Sequence, residues 1–292
     1  MDQGEPMSDW LDYAQYHPGG KHTVAGTLRV LAGLSSPQLG DARDILVYLP
    51  PSYGDAGRRF PVLYMQDGQN LFDEATSYAG EWQVDETLEQ LSREGIEAIV
   101  VGVANAVGVA NAPNRRYAEY TPFADDQGEG GEGDRYLAFL VESVKPCVDR
   151  AFRSAPGRDQ TGIAGSSLGG LISLYAFFRY PQVFGLAGVF SPAFEIGAAR
   201  FYPFMEQASF SGGKIYMDVG TLEARGLEPD PDVMQELSDL YLYDVRRMRD
   251  LLLAKGYREG QDLLYFEEQG GIHHESAWAR RLPAALKFLF IR

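Results

Sequence analysis

A single cysteine, Cys147, stands among the 292 residues, so no intrachain disulfide can form. It falls within an apolar helical pattern and reads as a structural thiol, not a reactive one. Histidine is scarce, which confines imidazole chemistry to His17, His22, His273 and His274. Basic residues are short as well: 26 Lys+Arg against 41 Asp+Glu leave a net charge of −15, which disfavours nucleic acid and anionic membrane surfaces as partners. The N-terminus has no basic segment followed by an apolar run, so no signal peptide is legible. The most apolar stretch, Ile96 to Ala112, is interrupted by Glu97, Asn105 and Asn111 and cannot span a bilayer. The expectation from these absences is a cytoplasmic protein. No linker or low-complexity run divides the chain, and at 45% hydrophobic it can bury one large core. The expected division is an N-terminal extension, 1–22, followed by one domain, 23–292. Nothing in the pattern sets an oligomeric state.

What is present is alternation. Thr23 to Leu34 and Asp44 to Leu49 are strand-like, joined by a Ser-Ser-Pro turn. FPVLYM (60–65) and IEAIVVGVA (96–104) are near-continuous apolar runs, as in strands covered on both faces. Helical spacing follows over Trp82 to Leu91 and over Tyr136 to Phe152, where Tyr136, Leu140, Val144, Val148 and Phe152 share a stripe. Strands at 161–164, 184–190, 214–219 and 262–266 alternate with helices at 168–178, 231–255 and 275–290. That order predicts a mostly parallel α/β sheet with helices on both faces and antiparallel strands at its N-terminal edge. GVANAV is followed at once by GVANAP, a short duplication in a loop. Asp125 to Asp134 is acidic and Gly-rich; it reads as a mobile solvated loop, with a gating lid as the sharper alternative.

Gly165-Ser166-Ser167-Leu168-Gly169 fits G-x-S-x-G, the sharp strand-to-helix turn that lifts a serine hydroxyl above an α/β sheet. Its steric logic asks that Gly165 and Gly169 lack bulk. Only Ser167 is centred between them. A serine hydroxyl needs a base to take its proton as it attacks. His17 and His22 precede the sheet, whereas His273 and His274 follow the last strand, where the base of this chain order belongs. The acid should lie in the loop after the preceding strand, which favours Glu223 over Asp218, still inside that strand. An oxyanion hole needs two donors aimed at one point. The Leu168 N–H is the first. The second comes from the loop Gln66 to Asn70, with Gln69 as donor, unless that loop is an ordinary turn.

With these residues in place, the chain resembles the putative esterase family of α/β-hydrolases, which includes enterochelin, feruloyl and acetyl-xylan esterases and S-formylglutathione hydrolases. The matching segments run in order: SPQLGDARDILVYLPPSYGD, FPVLYMQDGQNLFD, WQVDETLEQL, RRYAEYTPF, GIAGSSLGG, VFGLAGVFSP, KIYMDVGTLEARG and HHESAWARRL. The resemblance implies an α/β-hydrolase fold, Ser167 as nucleophile, Glu223 as acid and the Gln69 backbone in the oxyanion loop. It selects His273, five residues before Trp278, as the base. His274 stands where the family commonly has Asn or Asp. The expected activity is cleavage of a small-molecule carboxylic or thioester through an acyl-enzyme, with no metal and no organic cofactor. Arg116 and Tyr120 are the candidates for substrate contact. An acyltransferase with the same triad, a non-catalytic binding protein of the same fold and a peptidase are the rival readings.

Overall fold

A computed structural model describes residues 9–55, 57–106, 115–125 and 127–291. A nine-stranded sheet runs through the chain. It comprises β1 (Leu11–Asp12), β2 (Thr27–Ser36), β3 (Asp41–Leu49), β4 (Val62–Gln66), β5 (Ile99–Val103), β6 (Thr161–Ser167), β7 (Leu186–Pro192), β8 (Lys214–Gly220) and β9 (Leu263–Glu268). Their order in space is β1-β2-β3-β5-β4-β6-β7-β8-β9. The pairs β1–β2, β2–β3 and β3–β5 are antiparallel, and every pair from β5 to β9 is parallel. This is the α/β architecture expected from the alternation.

The parallel strands read as unbroken apolar runs because both faces are covered. In β4, Val62 and Tyr64 enter one core while Leu63 and Met65 enter the other. One core is closed by α4 (Gly133–Phe139), α5 (Lys145–Ala151), α6 (Leu168–Arg179), α7 (Ala198–Gln207) and α8 (Pro231–Ala254). The other is closed by α2 (Val84–Ser92) and α9 (Glu275–Phe290). The short helices α1 (Tyr13–Tyr16) and α3 (Arg115–Tyr120) complete the set.

Three departures from the sequence reading have physical causes. The sheet starts within the expected extension: Leu11 and Asp12 pair with β2, and Trp10 packs edge-on to Phe152 at 4.8 Å. Segment 133–151 is one helix with a π turn at Leu140–Val144 between α4 and α5. A strict i+4 stripe drifts by about 40° per step on an ideal α-helix; the wider π turn recovers that drift, and all five stripe residues are buried. The acidic Gly-rich segment is exposed at 127–129, as a solvated loop should be, but it is hydrogen-bonded at both ends. Asp125 Oδ1 accepts the N–H groups of Gln127 and Glu129, and Asp134 pairs with Arg179 and Tyr175. Of the duplication, the first copy begins in β5 with Gly102 and Val103 and not in a loop, and its last residue and the whole second copy lie outside the described residues. Cys147 is half-buried on α5. Among the described residues no helix is long and apolar enough to cross a membrane.

Candidate active site

Ser167 ends β6 at φ 58°, ψ −123°, a backbone region that L residues avoid and that costs about 1–3 kcal/mol. The bend is imposed by close approach. A Cβ on Gly165 would lie 2.4 Å from Gln66 Oε1 and 3.0 Å from the Gly169 carbonyl. Gln66 cannot swing away freely, since it is buried and its Oε1 accepts from Ser173 Oγ at 3.0 Å. Gly169 differs from the expectation, because its Cβ would meet nothing nearer than 3.5 Å. Gly165→Ala is therefore expected to destabilise by about 1–3 kcal/mol through overpacking. Gly169→Ala should be neutral or stabilising, because alanine is the better helix former. Paired thermal melts check the contrast; equal losses at both positions would contradict it.

The loop after β8 delivers Glu223 and the loop after β9 delivers His273. Glu223 Oε2 lies 2.7 Å from His273 Nδ1. Asp218, the alternative acid, points elsewhere: it accepts from the Ser191 N–H and from Tyr216 Oη, beside Arg281. Burial, only partly offset by Arg281, pushes Asp218 up to about 6. Burial also raises Glu223, but the His273 hydrogen bond and charge, with Ser191 and Gly220 as donors, outweigh it and hold the carboxyl below its ordinary value.

Ser191 joins these parts and was not singled out from the sequence. It is buried, with φ 36°. Its hydroxyl accepts from Trp278 Nε1 at 3.1 Å and from Arg281 Nη2 at 3.0 Å. With both lone pairs used, its single proton must go to Glu223 Oε1, 2.6 Å away. Gly220 N–H donates to the same oxygen. Glu223 Oε2 is thereby left facing His273, so Nδ1 carries the proton and Nε2 keeps its lone pair. Trp278 and Tyr241 pack edge-on to the imidazole with ring centroids at 5.1 and 5.6 Å, which gives the five-residue spacing between His273 and Trp278 a physical purpose. No short motif flags Ser191; only its place at the end of β7 could have.

His274 is the N-cap of α9, its Nδ1 accepting from the Ser276 N–H at 3.1 Å. That is the work Asn or Asp does at a helix start, so the departure at this position preserves a function. His274→Asp should keep stability within about 0.5 kcal/mol, whereas His274→Ala should lose about 1 kcal/mol. Urea unfolding of both variants measures the difference, and an alanine variant as stable as the parent would remove the cap from the account.

The loop after β4 bends through Asp67 in the left-handed region, φ 55°, into a 3-10 turn, Gly68–Asn70. Gly68 is required there because its Cβ would lie 2.6 Å from the Gly102 carbonyl carbon. Gln69 and Leu168 each stand in the first turn of a helix, where N–H groups have no acceptor within that helix. Helix α3 braces the loop. Arg116 Nε and Nη2 each reach Asp67 at 2.8 Å, and the Asp67 N–H donates to Tyr120 Oη at 3.3 Å. Burial alone would raise Asp67; the Arg116 charge and hydrogen bonds hold it below its ordinary value. The expectation of substrate contact by Tyr120 is corrected, since its side chain is fully buried under Asp67. Arg116 does line the cleft, but two of its guanidinium nitrogens are committed to Asp67. Asn105 adds a further tie, from Nδ2 to Asp67 and from its N–H to Gln69 Oε1.

Ser167 and His273 line two cavities. One of about 510 Å³ is walled by Leu227, Leu237, Leu240 and Tyr241 with Glu195, Glu228 and Asp244. The other, about 730 Å³, is more polar, with Gln69, Asn70, Thr76, Asn105 and Arg116 beside Trp82.

A family model described as putative esterase matches residues 36–289. The uncharacterised protein YbbA of Bacillus subtilis is 28% identical over 266 residues, spanning 88% of this chain and 96% of the relative. A siderophore enterobactin esterase of Emericella nidulans is 30% identical over 158 residues, 48% of each chain. Among solved structures, the siderophore hydrolase EstB of Aspergillus nidulans superposes with a TM-score of 0.67 at 20% identity, covering 89% of this chain and 95% of its own. The BES protein of Bacillus cereus gives 0.67 at 19% identity, covering 94% and 98%. The chain thus belongs to the putative esterase family, and it is a carboxylesterase-type hydrolase with the α/β-hydrolase fold.

Proposed function

We propose that the protein cleaves small-molecule esters through an acyl-enzyme formed on Ser167, with His273 as base and Glu223 as the acid that orients it. The observation that carries this reading is the Glu223–His273 bond at 2.7 Å, which leaves Nε2 free to take a proton in the cavity His273 shares with Ser167. His273 takes the Ser167 proton as the hydroxyl attacks the ester carbonyl. The N–H groups of Leu168 and Gln69 stabilise the oxyanion. His273 then protonates the leaving alcohol and activates water for deacylation.

The two cavities meeting at Ser167 suit a bulky ester with a large group on each side. Acidic residues and leucines lining the smaller cavity favour a neutral or cationic apolar group over an anionic one. The relative named a siderophore enterobactin esterase is the reason to put a catecholate trilactone in the test panel, beside acetylated sugar, hydroxycinnamate and thioester substrates. Fluorophosphonate labelling at Ser167, followed by kcat/KM across that panel with water and added alcohols as acceptors, tests the reading. Absence of labelling on folded protein would favour the non-catalytic alternative, and a dominance of transfer products would favour the acyltransferase.

A further inference from the structure

Behind the wall of the larger cavity, three carboxylates converge where the ester chemistry has no use for them. Glu81 lies in the extended segment before α2, and Asp85 and Glu86 lie in its first turn. Glu81 is 8% exposed and Asp85 0%. One oxygen from each of Glu81, Asp85 and Glu86 lies within 4.8 Å of the others. Protein donors meet part of the demand: Thr23 Oγ1 reaches Glu81 Oε2 at 2.8 Å, and the Ala25 N–H reaches Asp85 Oδ2 at 2.6 Å. Of the remaining oxygens, Glu81 Oε1 is buried without a hydrogen-bond partner among the described residues, while Asp85 Oδ1 and Glu86 Oε2 are buried with no N–H or hydroxyl donor, the Asp85 and Glu86 carboxyls lying within hydrogen-bond reach of each other. No Lys, Arg or His among the described residues pairs with any of the three. Asp73 and Glu74, the next charges acting on Glu81, are acidic too.

Orphaned buried acceptors are costly one at a time, and crowded carboxyls cannot all ionise together without strong repulsion. A positive centre relieves both problems at once. The donors are all carboxylate oxygens, hard ligands that suit calcium, magnesium or manganese and not metals that seek thiolate or imidazole. We propose that Glu81, Asp85 and Glu86 form a structural site for a hard divalent cation of this class. The ion takes no part in ester cleavage. Its influence passes through the backbone: the Trp82 N–H donates to the Asn70 carbonyl at 2.9 Å and the Val84 N–H to the Leu71 carbonyl at 3.0 Å. Glu81 and Asp85 therefore bracket the strap that holds both the Trp82 wall and the 68–71 turn. The rival to a cation is protons shared among the carboxylates, since burial first and Glu86 second push Asp85 up to about 9.

The test uses the full chain, stripped with chelator and then melted with CaCl2, MgCl2 or MnCl2. Terbium luminescence excited through tryptophan reports binding beside Trp82. The expected result is a rise in Tm of about 5 °C at a hundredfold excess of cation over Kd. Comparing the three salts identifies the preferred ion. Glu81→Gln and Asp85→Asn retain an acceptor for Thr23 and Ala25 while removing charge, and each should abolish both the shift and the terbium signal. Glu86→Gln, at a less buried position, serves where either variant fails the circular dichroism check of folding. No shift with any cation up to about 10 mM overturns the proposal, as does a shift that survives these substitutions.

Discussion

Replacing Ser167 with alanine should reduce kcat/KM by about 10⁶-fold, by analogy with triad deletions in another serine hydrolase, and should leave the protein folded. The two expectations have separate causes. Activity should vanish because, among the described residues, Ser167 alone offers a hydroxyl lining both cavities together with His273; Ser166 is buried and is not centred on the turn. Stability is retained because alanine keeps the Cβ, and with it the same backbone strain at φ 58° that serine already bears. A change in Tm beyond a few degrees would mean that the hydroxyl has a structural role. Retention of more than a few per cent of activity would remove Ser167 as nucleophile. The same variant should lose fluorophosphonate labelling completely, which separates a missing nucleophile from contaminating esterase.

The second large effect concerns Glu223. Glu223→Gln should lower kcat by about 10³- to 10⁴-fold, in the range seen when a triad acid becomes an amide. The reason is tautomeric. Ser191 Oγ and the Gly220 N–H both donate to Oε1, so the amide oxygen of the variant must remain there. Its NH2 then faces His273 Nδ1, which must accept, and the ring proton moves to Nε2, where it blocks the base. Asp218→Asn is the control. Asp218 touches Ser191 N–H and Tyr216 but not His273, so the loss should fall mainly on stability, with kcat reduced less than about tenfold. Equal losses in kcat for the two variants would sink the assignment of Glu223. The pH response has a definite sign. A carboxyl held below its ordinary value of 4.5 contributes stability that is present above that pH and is lost as pH falls through the lower folded value. Acid unfolding of the parent should therefore steepen below about pH 4.5 relative to Glu223→Gln.

Much of this was legible in advance for local reasons. A nucleophile turn carries its own glycines, a parallel strand covered on both faces shows as an unbroken apolar run, and helices announce themselves by period. His273 could be told from His274 only through the family resemblance, since both stand in the same loop; the structure adds the reason, one imidazole meeting Glu223 and its neighbour capping α9. Tyr120 misled because an aromatic near a polar loop looks the same whether it lines the cleft or lies beneath it. Helix α7 has no counterpart in the sequence reading; Pro203 lies inside it, and the packing of Phe201, Tyr202 and Met205 sustains it.

The residues alone determined the order of strands and helices, the single serine poised at a sharp turn, and the short set of histidines and acids able to serve it, because each depends on spacing along the chain. Only the tertiary structure decided that Ser191 aims Glu223, that Arg116 and Tyr120 brace Asp67, and that Glu81, Asp85 and Glu86 crowd into one buried spot. The first two relations join side chains far apart in sequence, and the third, though local in sequence, owes its burial to packing; each exists only once the sheet has brought the loops together.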